Sequence, residues 1–108
     1  MKRHSLGEFE EFTLLAVCAL GGRTYGVPIL EFVERATGRK VSIGALYAAL
    51  ERLDAKGFVR SLQGEATPVR GGKRKRLVEA TPAGLRTVRK LRRVRERIWQ
   101  AIEAAQGS

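Results

Sequence analysis

The sequence predicts a mainly helical α+β fold. Three features carry this prediction: three short segments with helical spacing of apolar residues, two short β-like segments around a basic stretch that contains glycines, and a long amphipathic segment at the end. Helices, hairpin and terminal helix in this order predict a winged helix-turn-helix with a two-stranded wing and a long C-terminal dimerisation helix. At 108 residues the chain has the length of one compact domain.

Two short helices open the chain, over residues 6–20 and 27–37. Ser5 and Glu8 have the spacing of a capping box before the first helix. Gly21-Gly22 ends the first apolar pattern and Gly38 ends the second. The residues predicted to face the core are Phe9, Phe12, Leu15 and Leu20 in the first helix, and Ile29, Phe32, Val33 and Ala36 in the second.

A third helix is predicted over residues 43–56, with Ser42 as its N-cap and Gly57 at its end. One narrow arc of its helical wheel is apolar and should face the core. The opposite face is made mostly of small residues and has few hydrogen-bond donors. The apolar arc contains Ile43, Leu46, Leu50 and Leu53, and the outward face contains Gly44, Ala45, Ala48 and Arg52, with Tyr47 on its flank.

Two short strands are predicted to pair as a hairpin, over residues 58–63 and 75–81. Between them lies the sequence TPVRGGKRKRL, which places five basic residues within seven positions. A solvated charged face has no need of glycine, whereas Gly71-Gly72 would let the chain turn tightly at a hairpin tip. The basic residues of this predicted wing are Arg70, Lys73, Arg74, Lys75 and Arg76.

A long fourth helix begins at Thr81 and Pro82, which read as its N-cap and first residue. Its apolar stripe has too little of the remaining chain to pack against, so we expect it to bury against a second copy in a twofold dimer. We divide the chain into a DNA-binding unit over 1–80 and a dimerisation helix over 81–108, together one compact unit. The expected interface residues are Leu85, Val88, Leu91, Val94, Ile98, Trp99 and Ile102.

The charge of the chain is strongly positive and uneven. The net charge is +10, and residues 67–108 contain twelve basic and three acidic residues, whereas residues 1–66 contain nine and eight. A field of this sign favours an anionic partner such as nucleic acid or a membrane surface. Because the excess charge lies beside a helix-turn-helix pattern, we favour DNA over a solubilising role. The fourth helix is also basic enough for a membrane surface, but its arginines flank the apolar stripe as they would a dimer seam.

The residue inventory argues against an enzyme. The chain has one His, one Cys and one Asp, which supply neither a usual metal site nor a His-based catalytic triad. We therefore expect no catalytic residue, no metal and no cofactor. Cys18 lies in an apolar run and should be a buried, inert thiol rather than a redox sensor. One cysteine and no secretory or transmembrane segment indicate a cytoplasmic protein.

Four motifs, in this order and spacing, resemble the PadR family of bacterial transcriptional regulators, in its short branch with a single terminal helix. They are LGGRTYG over 20–26, SIGALYAALERLDAKGFV over 42–59, TPVRGGKRKR over 67–76 and TPAG over 81–84. The sequence departs from the pattern of many members in two places: Ala48 replaces a proline, and Leu77 and Val78 replace paired aromatics.

The resemblance implies a homodimeric repressor in the bacterial nucleoid that binds a palindromic operator in double-stranded DNA. It places the third helix in the major groove, the wing on the backbone or in the minor groove, and the fourth helix in the dimer interface. By motif, the groove-reading positions are Ser42, Gly44, Ala45, Tyr47 and Ala48, and the wing positions are Gly71, Gly72, Lys73, Arg74 and Arg76. On the outward face of the helical wheel, Arg52 is the main side chain that could make a bidentate contact to a base. Because few such donors are present, the choice of operator should rest partly on DNA shape.

Several alternatives stay open. Tyr47 is either a groove contact or a core tyrosine, and Tyr25 is favoured as a packing residue between the first two helices. Some family members bind planar aromatics between their terminal helices, which leaves a small aromatic effector open. By count from TPAG, Arg95 occupies the stacking position of such members, and Trp99 is favoured as a packing residue. The alternative function is an architectural or interaction protein that binds nucleic acid without sequence preference.

Overall fold

The computed structural model of the chain describes residues 6–63 and 76–107. Three helices, a strand hairpin and a long terminal helix follow one another, so the predicted winged helix-turn-helix is confirmed. The elements are α1 (Glu8–Ala19), β1 (Arg23–Tyr25), α2 (Gly26–Thr37), α3 (Ile43–Ala55), β2 (Val59–Gln63), β3 (Arg76–Ala80) and α4 (Pro82–Gly107).

The sheet has a third strand that the sequence did not predict. Its order is β1-β3-β2, with β3 antiparallel to both neighbours. The short strand β1 pairs Thr24 with Val78, and the Ala80 N–H donates to the Gly22 carbonyl just before the strand. β1 has only three residues, too few to show an alternation of polar and apolar residues in the sequence. These residues form a strand because they pair with β3.

The helix ends follow local sequence signals with one exception. The Ser42 hydroxyl accepts a hydrogen bond from the Ala45 N–H at 3.1 Å, and Gly38 closes α2 in the left-handed conformation at φ 71°. The capping box at Ser5 is wrong. The N-cap of α1 is Gly7, without a side-chain cap, and Ser5 lies outside the described residues. Acidic residues in the first turn complement the helix dipole there instead.

The core lies where α1 meets α2, α3 and the sheet. Its fully buried residues include Leu14, Val17, Ile29, Leu46 and Leu50. Three predicted core residues are exposed instead: Leu15 at 39%, Ile43 at 44%, and Ala36 near the end of α2. Because α1 has neighbours on several sides, its buried face runs through Thr13, Leu14, Ala16 and Val17, which turns Leu15 outward. Ile43 is the first residue of α3 and stands beyond the edge of the core.

A tight backbone joint connects the end of α3 to the start of α4. The Phe58 carbonyl accepts a hydrogen bond from the Thr81 N–H at 3.0 Å. The Thr81 hydroxyl donates to the Gly57 carbonyl at 2.6 Å and accepts from the Gly84 N–H at 3.0 Å, which confirms Thr81 as the N-cap. A Cβ on residue 84 would lie 3.2 Å from the Phe58 Cα and closer still to its carbonyl. Only glycine lets α4 begin in this position.

We expect Gly84→Ala to lower the free energy of unfolding by about 1–3 kcal/mol, because the added methyl meets backbone that cannot rotate away. Gly44→Ala is the matched control. It is also helical, and a Cβ there meets nothing within 4 Å, so it should be neutral or stabilising by up to about 1 kcal/mol. Urea unfolding of both variants measures the difference. Equal stability of the two variants would contradict a tight joint.

Candidate nucleic-acid interface

The first turn of α3 is exposed to solvent. Ser42, Gly44 and Ala45 are all exposed, together with Ile43. The turn before this helix is held in place by the Glu34 carboxylate, which accepts a hydrogen bond from the Val41 N–H at 2.9 Å. The N-terminus of α3 therefore carries small side chains and is open to solvent, and the turn before it is anchored to α2 through Glu34. A duplex groove can approach such a surface closely.

Tyr47 and Ala48, also predicted to read the groove, are half-buried. The Tyr47 ring packs at the start of α2, where a Cβ on Gly26 would lie 3.0 Å from the tyrosine hydroxyl oxygen. The Arg76 guanidinium carbon lies 6.0 Å from the centroid of this ring, in the range of a cation–π contact. Tyr47 therefore connects α2 and α3 to the first residue of β3, and packing accounts for much of its surface.

Arg52 has a partner within the fold. Its Nε donates to the Glu10 carboxylate at 2.9 Å, and the Lys56 ammonium donates to the other oxygen of the same carboxylate. The Arg52 side chain is 54% exposed, whereas the Glu10 side chain is 10% exposed. The two cations are four residues apart on α3, so they hold α3 against α1 through one buried acid. This ion pair was not visible in the sequence.

The Glu10 carboxylate stays charged despite its burial. Burial by itself would raise the pKa of this carboxyl, but hydrogen bonds from Lys56 and Arg52, and the charges of both cations, outweigh it. The pKa of Glu10 therefore lies below its ordinary value of 4.5. At neutral pH the group is a fixed negative charge between α1 and α3.

Most of the predicted wing lies outside the described residues. This applies to Arg70, Gly71, Gly72, Lys73, Arg74 and Lys75. Arg76 is described: it is exposed at the start of β3, with its guanidinium over the Tyr47 ring. The first residue of β3 thus lies beside α3.

Two further basic residues lie next to the first turn of α3. Arg39 and Lys40 are exposed in the turn between α2 and α3, and they line a cavity that also reaches Ser42 and Ala45. Arg39 donates to the Glu8 carboxylate at 3.1 Å and lies over the Phe12 ring at 5.8 Å. These two residues were not among the predicted contacts, although a basic pair two residues before a helix N-cap was a usable signal in the sequence.

The charge on the outer face of the sheet is partly neutralised within the fold. Glu79 on β3 lies between Arg60 on β2 and Arg23 on β1, with nitrogen–oxygen distances of 2.6 and 3.5 Å. The hydrogen bond from Arg60 lowers the pKa of the Glu79 carboxyl, with the charge of Arg23 adding to the effect. These two arginines therefore carry less free charge toward an anionic partner than Arg76 does.

The apolar stripe of α4 is largely uncovered. Leu85, Val94, Ile98, Trp99 and Ile102 are between 36% and 61% exposed, and Leu91 is half-buried. Val88 differs from the rest of the predicted interface because it is buried in the core of its own protomer at 7% exposure. It has little surface left for a partner chain.

Arg95 connects α4 to α1. Its guanidinium donates to the Glu11 carboxylate at 2.6 Å, and the Glu11 side chain is 12% exposed. This is the position where the family resemblance places the stacking residue of effector-binding members. Trp99, one turn further along, is 61% exposed.

Other chemistry finds no support in the described part of the chain. Within residues 6–63 and 76–107, no group of three His, Cys, Asp or Glu side chains could hold a metal ion. Burial raises the pKa of the Cys18 thiol, with the nearby charge of Arg89 acting in the opposite direction. Over the same residues, no helix is long and apolar enough to cross a membrane.

A winged helix with an exposed α3 is the architecture of a DNA-binding regulator, and comparisons with known proteins assign the family. The model of the transcriptional regulator PadR-like family matches residues 14–90. A PadR-like transcriptional regulator from Bacillus cereus is 15% identical, with a TM-score of 0.70 over 93% of this chain and 92% of that chain. BpsR of Bordetella bronchiseptica, whose DNA binding is regulated by 6-hydroxynicotinic acid, is 21% identical, with a TM-score of 0.70 over 94% of this chain and 67% of that one.

One curated relative extends the comparison. A 37.1 kDa protein in a transposon of Streptomyces fradiae is 38% identical over 72 residues, and the match spans 66% of this chain but only 19% of that protein. The match to the family model covers well over half of the chain, so the chain belongs to the PadR-like family of transcriptional regulators. Members of this family are regulators rather than enzymes.

The carboxylate between α1 and α3 predicts a specific pH dependence. We expect Glu10→Gln to lower the free energy of unfolding at pH 7 by about 1–3 kcal/mol, because two cations lose their shared acceptor. The folded-state pKa is depressed, so the carboxylate stabilises the fold above pH 4.5 and stops doing so as the pH falls through the folded-state value. The difference between wild type and Glu10→Gln should therefore shrink below pH 4.5.

Glu8→Gln is the control for this effect. Glu8 pairs with Arg39, but its side chain is 71% exposed, so its loss should cost no more than about 1 kcal/mol. Chemical denaturation from pH 3 to pH 7 separates the two variants. A Glu10→Gln protein as stable as Glu8→Gln across this range would contradict the role of the buried carboxylate.

Proposed function

We propose that the protein is a dimeric, sequence-specific DNA-binding repressor that places α3 in the major groove. The observation that carries this proposal is the exposed first turn of α3, formed by Ser42, Gly44 and Ala45. Arg39 and Lys40 lie beside this turn, and Arg76 lies over the ring of Tyr47 further along α3. Small side chains permit close approach to base edges, and flanking cations suit the phosphates on either side. The unit over 1–80 would supply these contacts, and the helix over 81–108 would join two copies.

The dimer is supported by the uncovered stripe on α4. This helix has 26 residues, which makes it about 39 Å long, and its core contacts are confined to the first turns, at Gly84 and Val88. Beyond them, Val94, Ile98 and Ile102 follow at helical spacing and remain exposed. A second α4 related by a twofold axis would cover this stripe and present two α3 helices to a palindromic operator.

The wing is proposed to bind the phosphate backbone or the minor groove next to α3. Five basic residues and Gly71-Gly72 precede or begin β3, and Arg76 already lies against Tyr47 of α3. Contacts of this kind position the protein without reading the sequence. They would act with Arg39 and Lys40 on the other side of the α3 N-terminus.

Sequence preference should come partly from DNA shape. Arg52 is the strongest donor predicted for the outward face of α3, but its Nε is committed to Glu10. Methyl groups of Ala45 and Ala48 can contact thymine methyls, which discriminates weakly. If shape readout were also weak, the protein would be the alternative: an architectural protein that binds DNA without sequence preference.

We propose packing in the dimer as the role of Trp99. The DNA binding of BpsR, a protein of similar fold, is regulated by a small aromatic acid, but Arg95, where the family resemblance places the stacking residue of effector-binding members, is bonded to Glu11. An aromatic effector would have to displace that ion pair. As a DNA-binding repressor, the protein would act at the nucleoid in the cytoplasm.

The groove assignment is tested by Ala45→Glu. We expect the variant to fold normally, because residue 45 is exposed and an acid in the first turn favours the helix dipole. DNA binding should fall by about tenfold or more, since a carboxylate would face phosphates and base acceptors. Ala36→Glu, an equally exposed alanine on α2, is the control and should bind normally. Fluorescence anisotropy with duplex DNA measures both, and equal affinities would refute α3 as the reading helix.

The dimer is tested by Ile98→Asp. An aspartate in the centre of an apolar interface lacks a partner and should shift the protein to monomers at micromolar concentration. Gln100→Asp introduces the same residue two positions away, at an exposed polar site on α4, and should remain dimeric. Sedimentation equilibrium gives both masses. If the Ile98→Asp variant keeps the mass of wild type, the stripe is not the interface.

A further inference from the structure

A row of cations lies on the side of α4 that faces away from the core. Arg86, Arg89, Lys90, Arg93 and Arg97 follow one another at intervals of one, three or four residues, and all five are exposed. At 3.6 residues per turn, these positions are roughly opposite the buried residues Gly84 and Val88. We call these five residues the α4 basic stripe.

The α4 basic stripe has no acidic partner in the described part of the chain. The ion pairs that α4 makes there use two other arginines: Arg92 pairs with Glu96 on the same helix, and Arg95 pairs with Glu11 on α1. Arg86, Arg89, Lys90 and Arg93 instead line a shallow groove with the small residues Ala83 and Thr87. The Thr87 hydroxyl donates to the Ala83 carbonyl, so the floor of the groove carries no anion of its own.

A row of one sign costs the helix stability. Like charges three or four residues apart destabilise a helix by about 0.2–0.5 kcal/mol per pair, and the stripe contains several such pairs. A face that only confers solubility would mix acids with bases. The repulsion is relieved when an anionic partner lies along the row.

The charge density of the row is comparable to that of a DNA strand. From residue 86 to residue 97 the helix rises about 16 Å, so the four intervals between the five cations average about 4 Å of rise, against one phosphate charge per ~3.4 Å of duplex axis in one DNA strand. The stripe carries no large apolar side chain, which disfavours insertion into a lipid surface.

The stripe and the first turn of α3 are separate exposed surfaces. α1 packs against both α3 and α4, and the stripe is centred roughly opposite Gly84, Val88 and Arg95, which face the core and α1. We therefore expect a duplex in contact with α3 to leave most of the stripe open. The apolar residues Val94, Ile98 and Ile102 occupy another face of α4, so a dimer seam there leaves it open as well.

We propose that the α4 basic stripe is a second binding surface for double-stranded DNA, which lets one regulator hold two duplex segments at once. This inference rests on the proposed function only in that the first duplex is held by α3. A dimer would carry two such stripes and could bridge distant sites or bend flanking DNA back along α4.

A capture assay tests the proposal. A random duplex is fixed to beads, loaded with the full-length protein, and exposed to a second, fluorescent duplex. We expect wild type to capture the second duplex at low salt. The variant Arg89→Gln/Arg93→Gln should lose about tenfold or more of this capture, and the salt dependence of capture should flatten by about 1.8 units, at 0.9 for each of two lost phosphate contacts.

The matched control is Arg35→Gln/Arg92→Gln, which removes two exposed cations outside the stripe. It should capture as wild type does. Capture by the stripe variant equal to that of the control would overturn the proposal, because bridging would then come from two α3 surfaces. Failure of wild type to capture DNA, with stripe-dependent binding to phosphatidylserine vesicles, would overturn it in favour of a membrane partner.

The same variants separate this inference from the proposed function. Anisotropy with a single duplex reports on α3, and failure of the proposed function would appear there as binding unchanged by Ala45→Glu. Failure of the stripe alone would leave Ala45→Glu impaired in single-duplex binding while the stripe variant still captured the second duplex.

Discussion

The carbonyl of Phe58 occupies the place where any side chain at residue 84 would have to go, and the rest of the molecule depends on this contact. The same carbonyl accepts the Thr81 N–H, and the Thr81 hydroxyl holds both Gly57 and the first turn of α4. These bonds set the direction in which a 26-residue helix leaves a small domain. A change of a few degrees at the joint would be multiplied along about 39 Å of helix. If two protomers meet through α4, the joint also sets how far apart their α3 helices stand.

The cations of this fold are of two kinds: some form ion pairs between its elements, and others have no acidic partner in the described residues and are available to an anionic ligand. Arg52 and Lys56 are tied to Glu10, Arg95 to Glu11, and Arg60 to Glu79. These pairs hold α3 and α4 on α1 and connect the strands. The cations without an acid partner in the described residues, such as Lys40 and the α4 basic stripe, lie on surfaces that the core does not need. A high net charge is therefore partly structural, and only its unpaired part can attract nucleic acid.

Local signals made much of the fold predictable. Ser42, Gly38 and Thr81 each act within a few residues, through a hydroxyl cap or a positive φ, and the structure confirms all three. The features that the sequence did not predict depend on distant partners. β1 exists because β3 pairs with it, Leu15 is outside because α1 has neighbours on several sides, and Glu10 is buried because two cations on α3 reach it. The wing at residues 70–75 and the groove contacts stay predictions, and of the groove candidates Ser42, Gly44 and Ala45 lie together on the exposed first turn of α3.

The central claim is that two α3 helices, fixed by α4, read a twofold DNA site. A hydroxyl-radical footprint on genomic fragments selected by the protein tests it most directly. A twofold dimer predicts two symmetric protected patches on one face of the duplex, with centres separated by about one helical turn, 10–10.5 base pairs, or a multiple of it. Protection spread evenly along every fragment, with no repeated pair of patches, would contradict the claim and identify a protein that binds DNA without choosing its sequence.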